Sequence, residues 1–164
     1  MKRPRQYQGE GYVLIVRPEE NSENEPPTCI AVYQKEDDAE RAMGKQKIKE
    51  MEHFLNYIYY PDYILVNCRN QPEAPPHELV QKEIREEDED EDNSFGDEWK
   101  WVKFCERYTT WTRKKDDTGE ERWIYEIDQS AIEDVGLDKL FRKTFHIIDE
   151  NYGVIVEIHK VQIL

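Results

Sequence analysis

Apolar residues fall along this chain in runs whose spacing predicts the elements they build. Gly11-Tyr12-Val13-Leu14-Ile15-Val16-Arg17 is a compact run rich in β-branched residues, with Gly9 and Gly11 before it and Pro18 after it, the signature of a buried strand. Thr28 to Tyr33 repeats the signal beyond a polar loop, so the two strands are expected to pair as a long-looped antiparallel hairpin. From Glu36 the periodicity changes. Ala39, Ala42, Met43, Ile48, Met51, Phe54, Leu55 and Ile58 recur mostly three and four apart, which predicts an amphipathic helix of about five turns. Glu36, Asp37, Asp38 and Glu40 crowd its start and Lys45, Lys47 and Lys49 follow, the order that complements the helix dipole.

Tyr59 to Asp62 breaks the helix, and Tyr63 to Cys68 reads as a third strand. A turn-rich connector leads to Pro75 and Pro76, which suit the N-terminal edge of a short helix from His77 to about Glu86. Between Trp99 and Tyr125 large side chains occupy both parities: Trp99, Trp101, Cys105 and Trp111 on one, Val102, Phe104, Tyr108 and Thr110 on the other. That pattern predicts a long β-hairpin loaded on both faces, turning at Lys114-Lys115-Asp116-Asp117-Thr118-Gly119 and returning through Trp123 and Tyr125. Ser130 to Ile148 carries a helical pattern interrupted near Gly136. Val154 to Leu164 is a final strand whose apolar parity changes after Ile158, and a bulge near His159 would account for the slip. The fold class expected is α+β: a single domain, mostly antiparallel, with about six strands and two or three helices.

Charge then divides the chain. Glu86, Glu87, Asp88, Glu89, Asp90, Glu91, Asp92, Asp97 and Glu98 bring nine carboxylates into thirteen residues, with no base among them, out of a net charge of −14. Such density repels itself, and fixing each backbone residue costs roughly 1–2 kcal/mol that no buried side chain here repays. Residues 86–98 are therefore expected to form a mobile acidic loop between an N-terminal ββαβα half and a C-terminal ββαβ half. Four Trp, ten Tyr and five Phe supply apolar area for a core on either side of it. The basic start Met1-Lys2-Arg3-Pro4-Arg5 runs into Gln6, Tyr7 and Gln8 rather than an apolar stretch, and no run approaches the length of a membrane span. A soluble, intracellular (cytoplasmic) protein is the expectation. Cys29, Cys68 and Cys105 lie far apart, without metal-ligand spacing and in an odd number, and each is expected to act as a small buried hydrophobe.

The residues offer few enzymatic constellations. A divalent-metal nuclease would use Asp62 at a strand start with Glu98-Trp99-Lys100 at another, two carboxylates for the metal and a lysine for the attacking water; Glu157 and Lys160 echo it loosely. His53, His77, His146 and His159 include no pair at helical metal spacing, and the His159–Glu157 dyad needs a nucleophile nearby. An EF-hand fails because Asn93 stands where the turn glycine belongs and Trp99 where the bidentate Glu belongs. No cofactor, metal or catalytic group is expected. Direct nucleic-acid binding would use Lys100, Lys103, Arg107, Arg113, Lys114, Lys115 and Arg122 among stackable aromatics, against the repulsion of a protein whose sequence pI is about 4.8. The charge fits the opposite reading better: the nine carboxylates, with Trp99, Trp101 and Trp111 as desolvated anchors, engage a basic surface of a partner protein and block nucleic acid from it. Small acidic inhibitors of nucleic-acid enzymes, including phage-encoded anti-defence proteins and DNA mimics, are similar in this composition alone.

Overall fold

A computed structural model describes residues 9–18, 26–58, 73–87, 96–147 and 153–163. It is an α+β protein with five strands in two antiparallel sheets and five helices among those residues. The elements are β1 (Gly9–Pro18), β2 (Thr28–Tyr33), α1 (Glu36–His53) continued by a π-helical turn (Phe54–Ile58), α2 (Pro76–Glu87), α3 (Gly96–Tyr108), β3 (Thr109–Lys115), β4 (Glu121–Ile127), α4 (Gln129–Val135), α5 (Leu137–Phe145) and β5 (Val154–Ile163). No helix among the described residues is long and apolar enough to cross a membrane. The chain forms two compact units, residues 1–49 with 150–164, and residues 50–149. Helices α2 and α3, which precede and follow the acidic stretch in sequence, pack together in the second unit.

In the first unit the sheet order is β2-β1-β5, so the two ends of the chain supply neighbouring strands. β1 pairs with β5 over ten consecutive positions, from Gly9 opposite Ile163 to Pro18 opposite Val154. Alternation places Leu14 and Val156 on one face, where both are buried, and Val13, Ile15, Glu157 and His159 on the other. The bulge expected near His159 is absent, since the β1–β5 register is unbroken, and Val161 simply stays on the more open face with 36% exposure. The irregularity lies instead between β1 and β2, where Leu14 pairs with Ala31 but Ile15 with Cys29. Cys29, expected to be buried, is exposed on that short strand, while Cys105 is buried as expected and Cys68 lies outside the described residues.

The second unit corrects the longest misreading of the sequence. The hairpin begins at Thr109, and residues 96–108 form helix α3. Trp101, Val102, Phe104, Cys105 and Tyr108 are all buried, and their spacing of one, three, four and seven is the stripe of a helix. A stripe of this kind occupies both parities, which is why it mimics a strand packed on two sides. The third strand expected at residues 63–68 lies outside the described residues. In the same unit Phe54 meets Phe145 with ring centroids 5.0 Å apart, and Leu140 and Thr144 of α5 are fully buried.

Gly136 separates α4 from α5, and it does so with φ 92° and ψ 139°, backbone that an L side chain adopts only under strain. Its N–H still donates to Ile132 O at 2.9 Å, closing α4, while its carbonyl accepts from Leu140 N at 3.0 Å, opening α5. The break read from the sequence is therefore a fixed corner. Gly136→Ala should lower stability by about 1–3 kcal/mol from backbone strain alone, because nothing lies within 4 Å of the new methyl group. A thermal melt unchanged by the substitution would show that the corner relaxes.

Candidate functional site

The residues expected to meet a partner sit on the two helices flanking the acidic stretch and on the hairpin behind them. Glu86 and Glu87 close α2, Asp97 and Glu98 fall in the first turn of α3, and Asp88, Glu89, Asp90, Glu91 and Asp92 lie outside the described residues. Carboxylates at a helix C-terminus oppose its dipole and those at an N-terminus complement it, so the charge run favours an end to α2 and a start for α3. Of the three tryptophans named as anchors, Trp99 is half-buried with Lys103 Nζ 5.2 Å from its ring centroid. Trp111 is also half-buried, its ring 4.3 Å from that of His77 in an edge-on contact. Trp101 cannot serve as a surface anchor. It is 1% exposed, packed edge-on against Tyr125 at 5.3 Å, and belongs to the core of this unit.

Behind these helices lies a buried polar network that the sequence did not reveal. The π-helical turn directs Asn56 onto the outer edge of β4, where its Oδ1 accepts from Tyr125 N at 2.9 Å and its Nδ2 donates to Tyr125 O at 2.8 Å. The side-chain amide thus pairs with the strand as a neighbouring strand would. Glu52 Oε2 extends the pairing by accepting from Ile127 N at 3.1 Å, and burial raises the Glu52 pKa above its ordinary value. Arg122 Nη2 donates to Asn56 O at 2.7 Å, while its guanidinium lies 4.5 Å from the Tyr57 ring centroid and 3.3 Å from Asp116 Oδ2. The only sequence signal for this was Asn56 itself, a polar residue inside the apolar run Phe54-Leu55-Asn56-Tyr57-Ile58.

His77, at the start of α2, completes the network. Its backbone N–H donates to the Tyr125 hydroxyl at 3.0 Å, and its Nδ1 lies 3.0 Å from the same oxygen. Since the hydroxyl has no other acceptor among the described residues, it donates to Nδ1 and leaves the imidazole proton on Nε2. Burial pushes His77 down to about 4 and pushes the Tyr125 phenol and the Cys105 thiol up. At neutral pH the three are a neutral imidazole, a phenol and a thiol. His77 is 1% exposed, its ring packed edge-on against Trp111 and Tyr125.

Glu98 and Lys100 share a helix, where positions two apart are separated by roughly 200° rather than presented together as on a strand. Asp62, the third member, lies outside the described residues. Among the described residues no group of three His, Cys, Asp or Glu side chains is placed to hold a metal ion. The Glu157–His159 dyad does form, with His159 Nε2 2.8 Å from Glu157 Oε1, but Arg17 Nε binds the same oxygen at 2.7 Å. Those bonds hold Glu157 below the usual carboxylate range, the reverse of a poised base. Lys160 is turned away to Glu10 at 3.1 Å.

The basic hairpin is largely neutralised by its own strands. Lys114 Nζ lies 2.5 Å from Glu126 Oε1, Arg113 Nε 3.9 Å from Glu121 Oε1, and Arg122 is held by Asp116. The turn between them is built on Asp116, whose Oδ1 accepts from Thr118 N, Thr118 Oγ1 and Glu120 N at 2.9, 2.6 and 3.1 Å. Comparison with protein-family models, with curated proteins and with solved structures gives no match, so no family is assigned to the chain.

Proposed function

We propose that this protein is a non-enzymatic acidic binding protein, an inhibitor that engages a basic surface of a partner protein and blocks nucleic acid from it, in the manner of viral anti-defence proteins. The observation that carries the reading is the concentration of nine carboxylates, unrelieved by any base, within residues 86–98. A field of that density raises the rate of encounter with a cationic groove and competes there with phosphates. Trp99, half-buried on α3 and next in sequence to the stretch, offers apolar area beside it, whereas Trp111 packs against His77 at the other end of α2. Cross-strand ion pairing of the hairpin cations supports the choice over direct nucleic-acid binding, because charge already matched to Glu121, Glu126 and Asp116 is not available to a polyanion.

The test replaces the nine carboxylates of residues 86–98 by their amides and compares the proteins retained by each form from the native host. The wild type is expected to retain a basic nucleic-acid-binding protein that the amide form loses, with affinity falling steeply as salt rises and duplex oligonucleotide competing for the complex. Equal retention by the two forms, or retention indifferent to salt, would overturn the reading.

A further inference from the structure

A strand at the edge of a sheet presents a row of unpaired N–H and C=O groups, and folds ordinarily blunt such edges. Two of the edges here are managed. β4 is closed by the side chains of Asn56 and Glu52, which bond Tyr125 and Ile127. β2 is only six residues long and irregular in its pairing with β1. β5 is different. It is ten residues long, contains no proline, is paired with β1 without a bulge, and has no strand on its other side among the described residues. Its one lysine, Lys160, is paired with Glu10 of the neighbouring β1.

The sequence of β5 is complementary to itself. Antiparallel pairing of two copies across a two-fold axis perpendicular to the sheet requires opposed residues of equal parity, so that their side chains share a face. Centred on Ile158, this places Glu157, whose Oε1 is already bonded by its own chain's Arg17 and His159, opposite the other copy's residue 159, a histidine, twice over, and sets Ile155 against the position of Val161. The exposed Val161 and the half-buried Ile155 thereby gain apolar cross-strand neighbours. Centring one residue earlier opposes two Glu157 carboxylates, and one residue later opposes two His159 rings, so the Ile158 register is favoured over both. We propose that β5 is a homodimerisation edge, through which two copies of this chain join their three-stranded sheets into one six-stranded antiparallel sheet about Ile158.

Sedimentation of the full-length protein over a range of concentrations tests this, at moderate salt so that net repulsion between copies is screened. A monomer–dimer equilibrium is expected, together with amide protection in residues 154–163 that increases with protein concentration. His159→Glu sets like charges opposite one another at both ends of the axis and should weaken association roughly tenfold. His159→Lys sets a cation opposite Glu157 and should retain the dimer. A wild type that stays monomeric at every concentration overturns the proposal, as does a dimer that His159→Glu leaves intact while the β5 amides exchange at a concentration-independent rate.

Discussion

Asn56→Ala is expected to lower the stability of the second unit by about 4 kcal/mol, a large share of the roughly 5–15 kcal/mol that holds an ordinary domain together. The estimate is built from the bonds that vanish. Tyr125 is 3% exposed, and its N–H and C=O on the outer edge of β4 are both satisfied by the Asn56 side chain. Removing that amide leaves one buried donor and one buried acceptor, each costing about 1–3 kcal/mol. Alanine's better helix propensity returns only a few tenths of a kcal/mol. Asn56→Asp is the sharper companion, because it retains the acceptor for Tyr125 N but turns an oxygen toward Tyr125 O and buries a charge, and it should be at least as damaging. Urea unfolding with an unchanged m-value and a lower midpoint is the measurement. A loss under 1 kcal/mol for both variants would mean that the π-helical turn can rearrange to cover the strand by other means.

That prediction could not have been made from the sequence, and the reason is physical. Elements whose signal is local were legible: β1 from its β-branched run between glycine and proline, α1 from its spacing, α2 from Pro75 and Pro76 at its start, the hairpin turn at Asp116 to Gly119, and the break at Gly136. Helix α3 was not, because Trp101, Val102, Phe104, Cys105 and Tyr108 are aromatic or β-favouring types whose helical stripe also fills both parities of a strand. The acidic cluster could be read as charge, but the demotion of Trp101 from anchor to core depends on its meeting with Tyr125, 24 positions along the chain. The edge strand β5 shows the same limit. Its alternation was evident, whereas its pairing with residues 9–18, far away in sequence, is encoded by no local pattern.

Acidification should expose the second large effect through His77. The folded protein holds this imidazole at about 4, against an ordinary value of 6.5, because burial excludes the water that would solvate the imidazolium. Between those two values the unfolded chain binds a proton that the folded chain refuses, so stability rises with pH across that window. The contribution is complete above about pH 6.5, is lost progressively as pH falls toward 4, and amounts to about 3 kcal/mol in all. Protonation also removes the acceptor that Nδ1 offers the Tyr125 hydroxyl, while the backbone N–H of His77 still donates to that oxygen. Carboxylates titrate in this range too, with Glu157 and Asp116 adding to the loss and Glu52, raised by burial, opposing it. The difference between wild type and His77→Gln isolates the histidine: glutamine should be less stable than wild type at pH 7, and the gap should shrink by most of that 3 kcal/mol near pH 4. Parallel stability curves from pH 7 to 4 would show that His77 already takes up its proton in the folded state. A converging gap would tie the start of α2, the helix that leads in sequence into the acidic stretch, to the protonation of His77.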